Sequence, residues 1–300
     1  ATSEMIFGKK YQGEVSNVRT MAHRYANELM EIILGEKGFF ESKVVFVMDD
    51  GARKDLYIMD YDGHNQRQIT STKTVNIFPT WADTNTLIWT SYARGKPDLY
   101  KGSVSTGKSS AFVVGRSIQT SPAVSPIEGK VAFGSSRDGD LDIYICDLDN
   151  TNLKRLTYSR SVDTSPTWSP NGYTIAFTSD RAGSPQIYVM DRDGSNVRRL
   201  TFEGGYNDSP SWSPKGDKIA YASMVGSKFD IWVVDTDGKN ARKVTSNSGS
   251  NEYPCWSPDG SHLMFSNKLG SKIDLYAINV NGTGLKKITK SGKAKMPDWS

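Results

Sequence analysis

The chain has 300 residues, with 37 basic against 33 acidic side chains for a net charge of +4, 37% hydrophobic and 23% charged. This is the composition of an ordinary folded chain and excludes a disordered or collagen-like one, and the most apolar runs, 32–34 and 44–48, fall far short of the roughly 18 residues of a membrane-spanning helix. The charge excess is local: residues 281–300 hold Lys286, Lys287, Lys290, Lys293 and Lys295 against one acid, Asp298, so a lysine-rich hairpin is expected there and not the broad basic face of a nucleic-acid binder.

The chain starts at Ala1 without an initiator Met or a basic-then-apolar leader, which fits a mature form or a cut piece and leaves secretion open. The first element in chain order is an amphipathic helix. Val18, Met21, Ala22, Tyr25, Leu29, Ile32 and Ile33 follow a helical stripe, with Ser16 as the expected N-cap and Gly35 as the stop. Its polar face mixes acids and bases, so a helix packed on the underside of the main body is expected, in preference to one lying on a membrane.

The rest of the chain repeats. A proline ahead of an apolar position recurs at Pro79, Pro122, Pro166, Pro210, Pro254 and Pro297, at steps of 43 or 44 residues. An aromatic keeps the same step at Tyr57, Tyr100, Tyr144, Tyr188, Trp232 and Tyr276, and an aliphatic–Thr pair recurs as Ile69-Thr70, Leu156-Thr157, Leu200-Thr201, Val244-Thr245 and Ile288-Thr289. Only the second unit lacks that pair, with Val113-Val114 in its place. In the clearest unit the pattern predicts strands over 165–169, 174–178, 186–190 and 197–201, separated by Ser169-Pro170-Asn171-Gly172 and Asp191-Arg192-Asp193-Gly194. Both are tight-turn sequences, since Pro presets φ and Gly accepts positive φ. Four-strand units of this period are propeller blades. The first unit, 43–70, lacks the Pro-x-Trp strand, and 296–300 supply only that strand. The fold class is therefore all-β: a six-bladed β-propeller over 39–300, closed by pairing of the C-terminal strand with the first blade, which removes an exposed sheet edge. A seventh blade would need chain beyond Ser300.

The blade consensus, Ser-Pro-x-Trp-Ser-Pro-(Asn/Lys/Asp)-Gly followed by Ile-Ala-Phe/Tyr, Ile-Tyr-Val-Met-Asp, Asp-Gly and Leu-Thr, resembles the PD40 repeat. More narrowly the chain resembles the TolB family, periplasmic propellers of the Tol-Pal system. The resemblance runs from about Phe7 to Ser300 and rests on the repeat count, the final Pro-x-Trp strand, and Gly8-Lys9-Lys10-Tyr11 leading to Met21-Ala22-His23-Arg24-Tyr25-Ala26 and Leu34-Gly35-Glu36-Lys37-Gly38. It implies that 1–38 is the remnant of an N-terminal α/β domain with its linker helix. It also implies a monomeric, non-catalytic adaptor that binds the lipoprotein Pal, that colicin translocation segments can also occupy, and that supports outer-membrane integrity and cell division. The N-terminal tail through which family members contact TolA is absent, so that contact is not expected. Two repeats depart from the pattern, with Ala82-Asp83 for Ser-Pro in the second and Val124 for Trp in the third; local drift in strand packing is expected.

If the Pro-x-Trp strand lines the channel, the residues just before each Pro ring one mouth. The resemblance places Pal contacts at such positions, here Ile118, Thr120, Ser121, Asp163, Thr164 and Ser165, and symmetry adds Asp208, Ser209, Glu252, Tyr253, Ile77 and Phe78. Lys43 and Ser300 fall on the opposite face. No cofactor is expected. His23, His64 and His262 occupy different contexts and suggest no metal site, and the Asp-x-Asp-Gly turns have Gly at position four where a calcium loop needs it at six. No Gly-x-Ser-x-Gly elbow occurs, and a regulatory propeller cut from a larger peptidase would require a hydrolase domain after Ser300, against which the closing strand argues. Cys146 and Cys255 read as strand residues, too few for a disulfide framework. The alternative use of such a mouth, by an enzyme or a sugar-binding propeller of lyase or dehydrogenase type, would place converging His, Arg and carboxylates there.

Overall fold

The turn chemistry of the repeat determines where its strands stop. The computed structural model describes residues 7–246 and 249–300. Among these residues are 24 strands, β1 to β24, in six four-stranded antiparallel sheets. In blade 4 the order outward from the channel is β12 (Asp163–Trp168), β13 (Thr174–Ser179), β14 (Gln186–Asp191) and β15 (Arg198–Arg199). Gly172 N–H donates to the Ser169 carbonyl and Gly194 N–H to that of Asp191, both at 2.9 Å, with the glycines at φ 68° and 93°. A Cβ on Gly194 would stand 2.5 Å from the Leu156 carbonyl oxygen of the preceding blade, so both the turn and the blade contact require glycine.

The outermost strand is shorter than the expected 197–201, and Thr201 is the cause. Its hydroxyl accepts from Ile187 N–H and donates to Gln186 Oε1, both at 3.0 Å, while Leu200 turns into the core. A side-chain clasp thus replaces further ladder. Thr70, Thr157, Thr245 and Thr289 accept in the same way from the N–H of Leu56, Ile143, Ile231 and Leu275. Blade 2, with Val114 at this position, has no such clasp, and its outer strand β7 (Ser109–Val113) is five residues long.

Blade 1 is assembled from both ends of the propeller. β24 (Ala294–Trp299) pairs antiparallel with β1 (Lys43–Asp49), Val44 opposite Trp299 and Met48 opposite Ala294, and β2 (Lys54–Asp60) and β3 (Arg67–Gln68) complete the sheet. The ring closes as expected. Its core lies in wedges between successive blades, such as Ile143, Leu156, Phe177 and Met190 between blades 3 and 4. Each fully buried side chain of this size contributes about 1.5–3 kcal/mol.

The helix α1 (Val18–Leu34) ends as expected at Gly35, which has φ 70° and donates its N–H to the Glu31 carbonyl at 3.0 Å. Its start is different. Asn17 holds the cap position without a side-chain bond, because 15–17 form a single 3-10 turn and the Ser16 hydroxyl is directed at Glu14 (3.2 Å). The helix does sit on the underside, beside the face where Lys43 and Ser300 exchange backbone hydrogen bonds. Its polar residues attach it: Arg19 to Asp60 and Asp62, His23 to Asp62 (3.5 Å), and Asn27 Oδ1 to Phe40 N–H (3.0 Å). No residue of the helix is fully buried, and Val18, Ile32 and Ile33 of the stripe are exposed. Among the described residues no helix is long and apolar enough to cross a membrane.

Candidate functional site

Six inner strands surround the channel: β4 (Asn76–Trp81), β8 (Gln119–Val124), β12, β16 (Asn207–Trp212), β20 (Ser250–Trp256) and β24. Each carries one of the recurring prolines. Pro has no N–H for the ladder and is tolerated in a sheet at an edge or a bulge, and the pairing of every inner strand shifts register at its Pro. The residue just before it takes a left-handed conformation in all six: Phe78, Ser121, Ser165, Ser209, Tyr253 and Met296 have φ between 51° and 56°. Such angles are unfavourable for non-glycine residues, most of all bulky ones, and repeated strain of this kind concentrates at ligand-contacting sites.

These six residues, their prolines and the residues after them enclose a cavity of about 160 Å³. The ring has two arcs. Phe78, Met296 and Tyr253, on the adjoining blades 2, 1 and 6, are apolar, with the Phe78 and Tyr253 rings 6.0 Å apart. Ser121, Ser165 and Ser209, on blades 3, 4 and 5, present hydroxyls. One step deeper lie Thr80, Ala123, Thr167, Ser211, Cys255 and Asp298. Asp298 is the one carboxylate lining the channel among the described residues. Burial raises its pKa to about 6, partly opposed by hydrogen bonds from Thr80 and from Trp81 N–H (3.0 Å).

Of the residues expected at the mouth, Phe78, Ser121, Ser165, Ser209 and Tyr253 line the cavity. Ile77, Thr120, Thr164, Asp208 and Glu252 stand one position earlier, half-buried on the rim, and Ile118 is exposed on the linker entering blade 3. Asp163 is placed differently. It is fully buried, and both its oxygens bind the Arg181 guanidinium at 2.9–3.0 Å, so its carboxylate braces the rim from below. Met296 completes the ring and was missed; its register before Pro297 was the available signal. Burial raises the pKa of Asp208, against bonds from the Thr178 hydroxyl (2.8 Å) and Ser209 N–H (2.6 Å). The Tyr253 hydroxyl is also raised, first by burial and then by the charges of Glu252 and Asp208.

Two of the three histidines converge although their sequence contexts differ. His23 and His64 both approach Asp62, at 3.5 and 3.4 Å, with Arg19 on the same carboxylate. No group of three or more His, Cys, Asp or Glu able to hold a metal occurs among the described residues. Cys146 and Cys255 are free and buried in strands, where burial pushes both thiols up, Cys146 to about 12.

A family model described as "TolB beta propeller domain" matches residues 30–300. The chain is 38% identical over 154 residues to "Tol-Pal system protein TolB" of Desulfosudis oleivorans, a match covering 51% of this chain and 35% of the relative. It is 37% identical over 158 residues to "Protein TolB homolog" of Chlorobaculum tepidum, covering 52% and 36%. The matched stretch spans about a third of each relative's own length. Among solved structures, TolB from Acinetobacter baumannii is 27% identical with a TM-score of 0.85, covering 96% of this chain and 74% of that one.

Proposed function

The chain belongs to the TolB β-propeller family, and from that premise we propose that it is a non-catalytic periplasmic adaptor of the Tol-Pal envelope system, receiving a Pal-type lipoprotein on the ringed mouth. Colicin translocation segments would compete for the same ring, and the complex would support outer-membrane integrity and cell division. The segment 1–38 would be the remnant of the family's N-terminal domain; of it, 1–6 lie outside the described residues. The observation that carries the reading is the ring itself. Six strained backbone turns hold an apolar arc opposite a serine arc on the face away from the helix, so the mouth is preformed and, among the described residues, uncovered. A rigid, half-apolar rim suits a protein segment, because little ordering entropy remains to be lost on binding. The enzyme or sugar-binding alternative gains nothing from this chemistry, since Asp298 already spends its hydrogen bonds on Thr80 and Trp81.

Thr164→Arg and Glu252→Lys each place a long cation on the rim, where neither wild-type side chain supports the core. Calorimetric titration with the soluble domain of a cognate Pal should give one-to-one binding to the wild-type chain and at least about tenfold weaker binding to either variant, with unchanged melting temperatures. Normal binding by both variants would move the partner site away from the mouth.

A further inference from the structure

A second recess opens outside the channel, where the repeat is most altered. Between blades 2 and 3 a groove of about 260 Å³ is lined by Val113, Val114, Arg116, Phe133, Arg137 and Leu153. It borders the linker that carries Ile118 to the rim and the turn after Ser135, both on the mouth face. Val114, Ile118 and Leu153 are exposed apolar side chains. Neither the Arg116 nor the Arg137 guanidinium forms an ion pair or side-chain hydrogen bond among the described residues.

Blade 4 shows what this arrangement holds when complete. Arg181 occupies the position of Arg137: each donates its own N–H to the serine two residues earlier, Ser179 at 3.4 Å and Ser135 at 3.3 Å. Arg181 lies over the Phe177 ring (5.4 Å) and binds both oxygens of Asp163. In blade 3 Phe133 stands for Phe177, but the inner-strand residue is Gln119, neutral and turned to the Ser117 hydroxyl at 2.8 Å. The fold therefore keeps the arginine and the aromatic and omits the carboxylate, while Arg116, at the register of Arg160 in blade 4, lines the same groove from the linker.

We propose that this groove takes a carboxylate from outside: an Asp or Glu side chain flanked by apolar residues, on an extended segment of the protein that docks at the mouth. The assignment of that segment to the partner rests on the function proposed above. An arginine pair matches a carboxylate with directed, charge-assisted hydrogen bonds, and the exposed Val114, Ile118 and Leu153 favour an acidic side chain within an apolar peptide over a free inorganic anion. The rim then carries this arginine pair, Arg116 and Arg137, on one side only, beside blades 2 and 3. A partner carrying the complementary charges could dock in one rotational setting on a nearly six-fold ring.

Two titrations test this. The first is by amide NMR on the isotope-labelled chain, with N-acetyl-Leu-Asp-Leu-amide as probe and its Asn analogue as control. The Asp peptide should shift the amides of 114–118 and 135–137 saturably, the Asn peptide should bind at least about tenfold more weakly, and Arg116→Gln/Arg137→Gln should abolish the difference. Equal shifts from both peptides, or none in these segments, would overturn the site whether or not any Pal binds. The second uses the soluble Pal domain. The double variant should weaken binding about tenfold at low salt, with the gap narrowing as salt rises, while Lys239→Gln on the opposite face changes nothing. Unchanged Pal affinity in the double variant would remove the groove from the partner interface. Failure of Pal to bind even the wild-type chain would refute the functional reading and, with it, the partner assignment, while the peptide titration would still decide whether the groove takes a carboxylate.

Discussion

Asp298 shows how one side chain can set a pH dependence for the whole ring. Its carboxyl titrates near 6 in the folded chain against an ordinary 3.8, chiefly because burial in the channel wall disfavours the charge. Between those values the folded chain holds a proton that the unfolded chain does not, so the stability associated with the neutral form is fully present below about pH 4 and is lost as pH rises through 6. Asp298→Asn keeps an acceptor for Trp81 N–H and removes the charge. It should raise stability at pH 7.5 by about 1–2 kcal/mol, with the advantage vanishing by pH 4, as measured by denaturant melts across pH. An equal difference at both pH values would mean that the carboxylate is well solvated. The other channel residues were legible only in part. Strict alternation would put the residue three before each Pro on the same side as the one just before it, and on that rule Asp163 should face the pore. The bulge at Pro sets two residues against one and reverses the earlier part of the strand, so Asp163, Asn207 and Asn251 are buried while Ser165, Ser209 and Tyr253 line the cavity. A register break inside a six-residue strand leaves no trace in hydrophobic periodicity.

The elements were readable wherever backbone geometry is encoded locally and unreadable where a side chain replaces it. Gly35, Gly172 and Gly194 end a helix and two strands as their φ values demand, whereas the clasp by Thr201 and its equivalents shortens the fourth strands for a tertiary reason. The helix is a similar case. Its apolar stripe suggested the packed face, but Arg19, bonded to both Asp60 and Asp62, and His23 hold it to the first Asp-Gly turn. A charged pair of this kind gains strength by being partly shielded from water. Arg19→Ala should therefore loosen the helix without opening the propeller, since Lys43 (2.5 Å) and Asn65 (2.8 Å) still satisfy Asp60. Hydrogen exchange followed by mass spectrometry should show protection in 18–34 falling about tenfold or more, equivalent to 1–2 kcal/mol, with the strands of blades 3 and 4 unchanged. If exchange in 18–34 stays as in the wild type, packing against 7–14, through contacts such as Phe7 on Tyr25 at 5.4 Å, holds the helix instead.

At the scale of the whole ring, every blade interface carries a hydrogen bond between channel-proximal residues, and the type alternates. On the far side of the channel, indole N–H groups donate to the preceding blade: Trp81 to the Asp298 carbonyl (3.2 Å), Trp168 to Ala123 (3.1 Å) and Trp256 to Ser211 (2.9 Å). These join blades 1–2, 3–4 and 5–6. The remaining interfaces are joined at the mouth, by Ser121 N–H to the Thr90 hydroxyl (3.1 Å), the Thr178 hydroxyl to Asp208 (2.8 Å) and Met296 N–H to the Ser266 hydroxyl (2.9 Å). Two departures from the indole pattern fall on that second set. Val124 replaces Trp in blade 3, and Trp212 Nε1 finds no acceptor among the described residues, yet both sit at interfaces already joined at the mouth. Strand β24 is the exception to this tolerance, since Asp298 and Met296 serve the interfaces on both sides of blade 1. Removing 294–300 would break both, empty Ala294 and Trp299 from the core around Val44, Phe46 and Met264, and expose β1 as a free edge. The shortened chain should melt at least about 10 °C lower, since each kcal/mol lost moves a domain of this size by roughly 2–4 °C, and should associate with rising concentration through that edge. Calorimetry and light scattering would measure both. A shortened chain that melts as the wild type does and stays monomeric would mean that the ring is held by its inter-blade wedges alone, with closure contributing only to shape.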